Sequence, residues 1–248
     1  MATAEELPAA IQLTNGNDPT AVEITRLGPD DANVGLGFRM TPSGNQQLEI
    51  NHRTKQSNQL AARINTTILN PPEAWVLYSS IYIPKVYYPC KISTFSRSQW
   101  TNVTRSATGA FLSRMGFNRN TSRRAMYGPE RLGGAGLTHG YARQGADSVT
   151  HFVTHVRWNS DLGKVMLNVL DQLQLLLGRG TALIEAPEPL PTRRPNKRLN
   201  IHYWYHLGPG WFVTMRDFLH YIHGSILSQV HGNQSSHEQT TWQLWMLS

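Results

Sequence analysis

Apolar residues recur every three or four positions through most of the chain after residue 52, the spacing that places side chains on one face of an α-helix. Leu60, Ile64 and Ile68 show it first, and Val165, Val169 and Leu173 show it again near residue 170. The pattern predicts helices over 53–69, 74–82, 96–115, 139–158, 161–177 and 211–227.

Residues that start and stop helices stand where these helices begin and end. Ser96, followed three residues later by Gln99, is typical of a capping box at a helix N-terminus. Gly116 and Gly178 follow the last apolar positions of two helices, as helix-ending glycines do. Pro84 and Pro89 are expected to end or kink the helix that contains Tyr82, because proline lacks the backbone N–H.

Two regions lack the helical pattern. Residues 1–35 are rich in turn residues and predict a flexible arm with a short strand at 21–26, whereas 34–40 and 47–50 predict a β-hairpin around the turn at 42–45. Residues 185–200 contain four prolines and four basic residues and predict a linker. The expected fold is therefore mainly α: a helical bundle over 36–184 with a short N-terminal β-hairpin, then a Pro-rich linker, and a last helix with a polar tail over 201–248.

Composition narrows the class of protein. Hydrophobic residues make up 40% of the 248 positions, enough for a packed core, and the single cysteine, Cys90, excludes an internal disulfide and a cysteine-based zinc site. Glu5 and Glu6 stand where a signal peptide needs positive charge, and no apolar run reaches membrane-spanning length. We therefore expect an intracellular protein, cytoplasmic or nuclear, that is not secreted and has no membrane partner.

Positive charge is concentrated in one part of the chain. Segment 85–143 holds ten basic residues against Glu130 alone, a formal charge of +9, which leaves −2 for the rest of a chain whose total is +7. Such a concentration predicts a polyanionic partner, although an arginine-rich solvated surface is the alternative. The predicted nucleic-acid-binding residues are Lys85, Lys91, Arg97, Arg105, Arg114, Arg119, Arg123, Arg124, Arg131 and Arg143.

Residues with catalytic or metal-binding potential give weaker signals. His151 and His155 have the helical spacing of a zinc-protease motif, but Phe152 replaces the glutamate that would activate water, so only a simple metal pair or two structural histidines remain. Asp30 and Asp31 form the one adjacent aspartate pair, and their glycine and proline neighbours indicate a turn, not the rigid hairpin that a two-metal site requires. We predict no catalytic residue, no metal site and no cofactor.

Short motifs in a fixed order resemble retroelement reverse transcriptases of the non-LTR type, downstream of their catalytic centre. They are Leu-Gly-Phe-Arg-Met at 36–40, Ile-Pro-Lys-Val-Tyr-Tyr-Pro at 83–89, Tyr-Gly-Pro-Glu-Arg-Leu-Gly-Gly-Ala-Gly-Leu at 127–137, Arg-Gln-Gly at 143–145, His-Val-Arg at 155–157 and Trp-Phe-Val-Thr-Met-Arg-Asp-Phe-Leu at 211–219. The resemblance covers about 20–228. It lacks the fingers, the palm and the Tyr-x-Asp-Asp hairpin of those enzymes.

This resemblance implies a thumb and post-thumb region that grips RNA or DNA duplex through its backbone without regard to sequence, and that does not polymerise. Tyr87 or Tyr88 could face the nucleic acid, whereas Trp100 and Phe111 belong to a helical apolar stripe and are expected in the core. Two alternatives stay open. The chain could be one piece of a polymerase whose palm lies on another chain, or a helical protein-interaction module that uses its last helix and tail.

The missing carboxylates lead to a first prediction: the purified chain does not extend a primer on an RNA template with Mg²⁺ or Mn²⁺, because nothing holds two metal ions. Incorporation of labelled nucleotides measures this. Primer extension that disappears in Asp30→Asn or Asp31→Asn would contradict it.

Overall fold

The structure is a computed structural model that describes residues 10–15, 18–25, 28–118, 120–176, 184, 210–222, 224–231 and 239–246. The chain divides into two compact units, Met1–His52 and Arg53–Ser248. The predicted linker at 185–200 and the predicted binding residue Arg119 lie outside the described residues.

Two antiparallel hairpins form the strands of the first unit. They consist of β1 (Ala10–Asn15) with β2 (Asp18–Thr25), and β3 (Asn33–Gly35) with β4 (Phe38–Met40). The short N-terminal hairpin of the sequence prediction is therefore present. The described part of the expected arm also contains a hairpin, and its second strand, β2, covers most of the single strand predicted at 21–26.

The second hairpin turns earlier than predicted. Leu36 and Gly37 both have positive φ, 50° and 80°, as a two-residue type I′ turn requires, so the strands close there and not at 42–45. The prediction of a strand at 47–50 was wrong. Asn45 Oδ1 accepts the Gln47 backbone N–H at 2.9 Å, and this cap starts a helix.

Helices make up most of the second unit, and the first of them begins in unit one. They are α1 (Gln47–Thr66), α2 (Pro71–Leu77), α3 (Ile83–Val86), α4 (Arg97–Arg114), α5 (Arg123–Tyr127), α6 (Gly140–Arg157), α7 (Asp161–Leu176) and α8 (Trp211–Tyr221). The mainly helical class is confirmed, as is the capping box that Ser96 and Gln99 form at the start of α4. Each described helix is too short or too polar to cross a bilayer.

Pro84 does not end the helix that contains it. A π-helical turn, Tyr78–Tyr82, joins α2 to α3, and the Ile83 N–H donates to the Tyr78 carbonyl five residues back. Proline in a regular α-helix clashes with the carbonyl four residues earlier, and the wider π turn relieves that clash. The helical path therefore continues past Pro84 to Val86, and a 3₁₀ turn, Tyr88–Lys91, follows.

Aromatic rings from α4 and from the π turn fill the core. Tyr78 and Tyr82 stack at 5.5 Å, and both meet Phe111 edge to face at 5.0 and 5.2 Å. Trp100 contacts Tyr87 at 5.4 Å. Trp100 and Phe111 are fully buried, which confirms their expected place in the core.

The Gln144 side chain of α6 crosses this core and joins α6 to the start of α4. Its Oε1 accepts from Ser93 Oγ at 2.8 Å, from the Phe95 N–H at 3.1 Å and from Trp100 Nε1 at 2.7 Å. Its Nε2 donates to the Phe95 carbonyl at 3.0 Å. The side chain is fully buried, so one amide satisfies four polar groups that water does not reach.

The last predicted helix is shorter than expected, and the polar tail contains strands. Helix α8 ends at Tyr221, and β5 (Gly224–His231) pairs antiparallel with β6 (Gln239–Met246). The prediction of helix to residue 227 was wrong because Gly224 interrupts the helix and the alternating residues after it suit a strand. The two tail tryptophans belong to β6, which explains why they occur in an otherwise polar segment.

The hydrogen bonds of Gln144 predict a large effect of its removal. Gln144→Ala leaves buried donors and an acceptor without partners, and we expect a loss of about 3 kcal/mol in the free energy of unfolding. Urea denaturation followed by circular dichroism measures it. Gln172→Ala, at an exposed position of α7, is the matched control and should change stability by less than about 0.5 kcal/mol. Equal stability of the two variants would contradict the prediction.

Candidate nucleic-acid interface

Nine of the ten predicted binding residues lie in the described part of the chain, and eight of these are exposed. The exposed ones are Lys85, Lys91, Arg97, Arg105, Arg123, Arg124, Arg131 and Arg143, and Arg114 is half-buried. The eight exposed side chains are accessible to a partner, whereas Arg114 is partly covered by the rest of the fold.

Arg97 and Arg123 are 26 positions apart in sequence, but the positive charge of each acts on the pKa of both Tyr127 and His139. The His139 pKa is lowered first by burial and then by the positive charges of Arg97 and Arg123. The same charges act on Tyr127, against the burial that raises its pKa. Tyr127 meets His139 edge to face at 5.0 Å, so both arginines lie within electrostatic range of one aromatic pair.

The first turns of α4 and α6 lie side by side, and Arg97 belongs to the first of them. A Cβ atom on Gly140, the first residue of α6, would lie 2.6 Å from the Trp100 ring of α4, and Gln144 bonds to that ring's N–H. His139 Nδ1 accepts the Ala142 N–H at 3.4 Å and caps α6. Helix N-termini carry partial positive charge, so two adjacent N-termini add to the field of the arginines.

An open cleft lies at the N-terminus of α4. It is lined by Ser96, Arg97, Ser98, Thr101, Asn102 and Arg105. The Arg105 guanidinium donates to Asn102 Oδ1 at 3.3 Å, and the Arg97 guanidinium lies 5.0 Å from the ring centroid of Tyr221. Hydroxyl, amide and guanidinium groups are the donors that bind phosphate oxygens, and a partly exposed tyrosine stands beside them.

Two predicted residues, Arg114 and Arg143, have other partners within the fold. Arg114 donates to the carbonyls of Ile64 and Asn65, at 3.3 and 2.8 Å, and so caps the C-terminal end of α1. Arg143 pairs with Asp147 at 2.8 Å. The Asp147 carboxylate partly neutralises Arg143, and two carbonyls occupy the Arg114 guanidinium. Arg114 therefore has a structural role as a helix cap.

The tyrosines of the 83–89 motif have different environments. Tyr87 is buried, and its hydroxyl donates to the Thr138 carbonyl at 2.9 Å. Tyr88 is 56% exposed, and the buried Arg53 guanidinium lies 5.8 Å from its ring. Of the two, Tyr88 is accessible to a partner.

The acidic pair and the cysteine have structural surroundings within the fold. Asp31 Oδ2 accepts the Gly28 N–H at 2.8 Å, and Asp30 Oδ1 accepts from Ser43 Oγ at 3.0 Å, so both carboxylates hold a local turn. Cys90 is fully buried, and burial raises the pKa of its thiol, which favours the unreactive form. Within the described ranges, no three His, Cys, Asp or Glu side chains converge as metal ligands.

The glycine-rich loop is a hydrogen-bonded turn. Gly136 N–H donates to the Gly128 carbonyl at 2.8 Å, and Gly133 and Gly136 have positive φ. A Cβ on Gly134 would overlap the Gly128 carbonyl, so the loop closes on its own backbone. This geometry sets the start of α6 beside α5, where Arg123 lies.

Sequence reasoning did not single out His139, Tyr127, Tyr141 or Tyr221. They come from separate segments, and only folding brings all four rings within range of the Arg97 charge. The position of His139 directly before a predicted helix was the available signal, because a residue there can cap the helix.

The shared effect of two arginines on His139 can be measured. Arg97→Gln or Arg123→Gln removes a positive charge that disfavours the imidazolium, so each should raise the His139 pKa toward its ordinary value, and the double variant should raise it further. Ring resonances followed by NMR across pH 4 to 8 (about the range of histidine titration) report it. Arg131→Gln is the matched control. An unchanged His139 pKa in the double variant would contradict the arrangement.

Comparison with models of known protein families, with curated proteins and with solved structures finds no match to this chain. The resemblance to reverse transcriptases therefore stays a hypothesis drawn from motif order. The assignment of a function depends on the arginines, the aromatic rings and the helix ends described above.

Proposed function

We propose that this chain binds nucleic-acid duplex through the sugar–phosphate backbone, as the thumb of a retroelement reverse transcriptase does, without a catalytic role of its own. The observation that carries the proposal is that the positive charges of Arg97 and Arg123 act together on Tyr127 and His139, near the adjoining first turns of α4 and α6. A polyanion is the partner that such a field favours.

Phosphate contacts position a duplex and carry no sequence information. Arg97 and Arg105 line the cleft at the start of α4, and Arg123 and Arg124 are exposed on the five-residue helix α5. These four side chains are the best candidates for phosphate contacts. Arg114 moves out of that set because it caps α1.

The salt dependence of duplex binding separates specific phosphate contacts from an effect of net charge. If Arg123 and Arg124 each neutralise a phosphate, reversing both charges should weaken binding to every sequence and reduce the slope of log affinity against log salt by about two, since each contact contributes about 0.9. A double variant, Arg157→Glu with Lys164→Glu, makes the same change in net charge outside segment 85–143 and should leave the slope within about 0.5 of the wild-type value.

Fluorescence anisotropy with an RNA–DNA hybrid at several salt concentrations measures both variants. A phosphate near His139 should also raise its pKa, which gives an independent NMR signal. Equal loss of affinity in the two double variants would reduce the effect to net charge. Absence of binding at low salt would refute the proposal.

A second candidate function is protein interaction, and one observation favours it. Helix α7 exposes apolar side chains at helical spacing, among them Leu162, Val165, Val169 and Leu176. Of the α8 tryptophan and leucine suggested for this role from sequence, Trp211 is half-buried and Leu219 is buried. Association with a protein that is insensitive to salt, together with no affinity for duplex, would favour this candidate over the first.

A further inference from the structure

His151 and His155 lie one helical turn apart near the C-terminal end of α6, away from the arginines described above. Both side chains are partly exposed, and their ring centroids are 4.5 Å apart, with the ring planes inclined at 79°. Phe152, between them in sequence, is buried, so the two histidines share the face of the helix that reaches solvent.

The spacing of the two rings fits a common metal ion. With metal–nitrogen bonds of about 2.1 Å and about 1.1 Å from each nitrogen to its ring centroid, two imidazoles that meet at about 90° to 100° place their centroids about 4.5 to 5 Å apart. The observed 4.5 Å lies within that range.

Ser160 supplies a second, independent observation. Its Oγ lies 2.9 Å from His155 Nδ1, donates to the His155 carbonyl at 3.2 Å and accepts the Gly163 N–H at 3.1 Å. When the hydroxyl gives its one proton to the carbonyl, Oγ accepts the contact from Nδ1 of the His155 ring. His155 then carries its proton on Nδ1 and presents the Nε2 lone pair, and metal-binding histidines are oriented by such a bond to the other nitrogen.

We propose that His151 and His155 bind one divalent transition-metal ion of the zinc, nickel or copper class through their ring nitrogens, with Ser160 as the residue that orients His155. Imidazole suits these metals, and water completes the coordination because no third side chain joins the pair within the described ranges. The site is separate from the proposed phosphate contacts.

The charge environment is compatible with the proposal. Lys91 is the basic side chain whose positive charge acts on His151. Lys91 is exposed, which lets solvent screen its repulsion of a cation. The ring centroids of Trp211 and His151 are 6.3 Å apart, and Trp211 Nε1 donates to the Lys91 carbonyl at 2.8 Å. These contacts hold the surroundings of His151 in place.

Calorimetric titration of the untagged full chain with Zn²⁺ tests the proposal. We expect one ion per chain at this site, at least about tenfold weaker binding in His151→Ala and in His155→Ala, and wild-type affinity in the control His220→Ala, another histidine at the end of a helix. Unchanged affinity in both alanine variants, or an equal loss in His220→Ala, would overturn it.

The role of Ser160 has its own test. Ser160→Ala should weaken Zn²⁺ binding by about tenfold, and Ser160→Thr, which keeps the hydroxyl, should restore it. Long-range proton–nitrogen NMR spectra of the wild type should show neutral His155 protonated on Nδ1, and Zn²⁺ should shift its Nε2 resonance. This measurement requires no variant to fold. A His155 proton on Nε2, or a Zn²⁺-insensitive Nε2, would refute the assignment.

Discussion

The hydrogen bonds of the Gln144 amide hold the rest of the helical unit in register. Three donors and one acceptor from 93–100 meet this one side chain in a site without water. An apolar residue of the same size would leave those groups unsatisfied, and a charged residue could not both donate and accept at neutral pH. The start of α4 is therefore fixed against α6, and the Trp100 ring fits against Gly140 only because that residue has no Cβ.

This packing creates an electrostatic cost that an anion can relieve. It brings two helix N-termini together near the half-buried His139, whose pKa is lowered first by burial and then by the positive charges of Arg97 and Arg123. Like charges near one another destabilise a fold unless a partner neutralises them. The aromatic core beneath, where Tyr78, Tyr82 and Phe111 pack edge to face, supplies the stability that tolerates this arrangement.

Helix α6 connects the two surfaces for which we propose binding. Its N-terminus is capped by His139, on which the two arginine charges act, whereas His151 and His155 lie in its last two turns, about 18 and 24 Å from His139 along the axis at about 1.5 Å per residue. Its middle is buried, with Gly145 directly against the Phe218 ring of α8. The metal pair can therefore be changed without touching the phosphate contacts, and loss of one activity would not imply loss of the other.

Local signals along the chain were sufficient for the helices whose ends are marked chemically. Ser96 with Gln99, Gly116 and the apolar spacing of α6 and α7 determine those elements, because capping and amphipathicity act over a few residues. The charge of segment 85–143 was equally visible. The sequence predictions were wrong at Leu36–Gly37, Pro84 and Gly224, because the residues there are compatible with two local structures. The chain forms a tight turn, a π-helical turn and a strand at these positions.

Only the tertiary structure decided what the charged residues do. Arg114 and Arg123 are both arginines of the same basic segment. Arg114 caps α1, whereas the charge of Arg123 lowers the pKa of His139, because packing gives each a different neighbour. The same holds for His155, whose ring orientation depends on Ser160 across a helix boundary. Spacing in sequence states which residues share a helix face, whereas the neighbours that tune a side chain come from segments that meet only on folding.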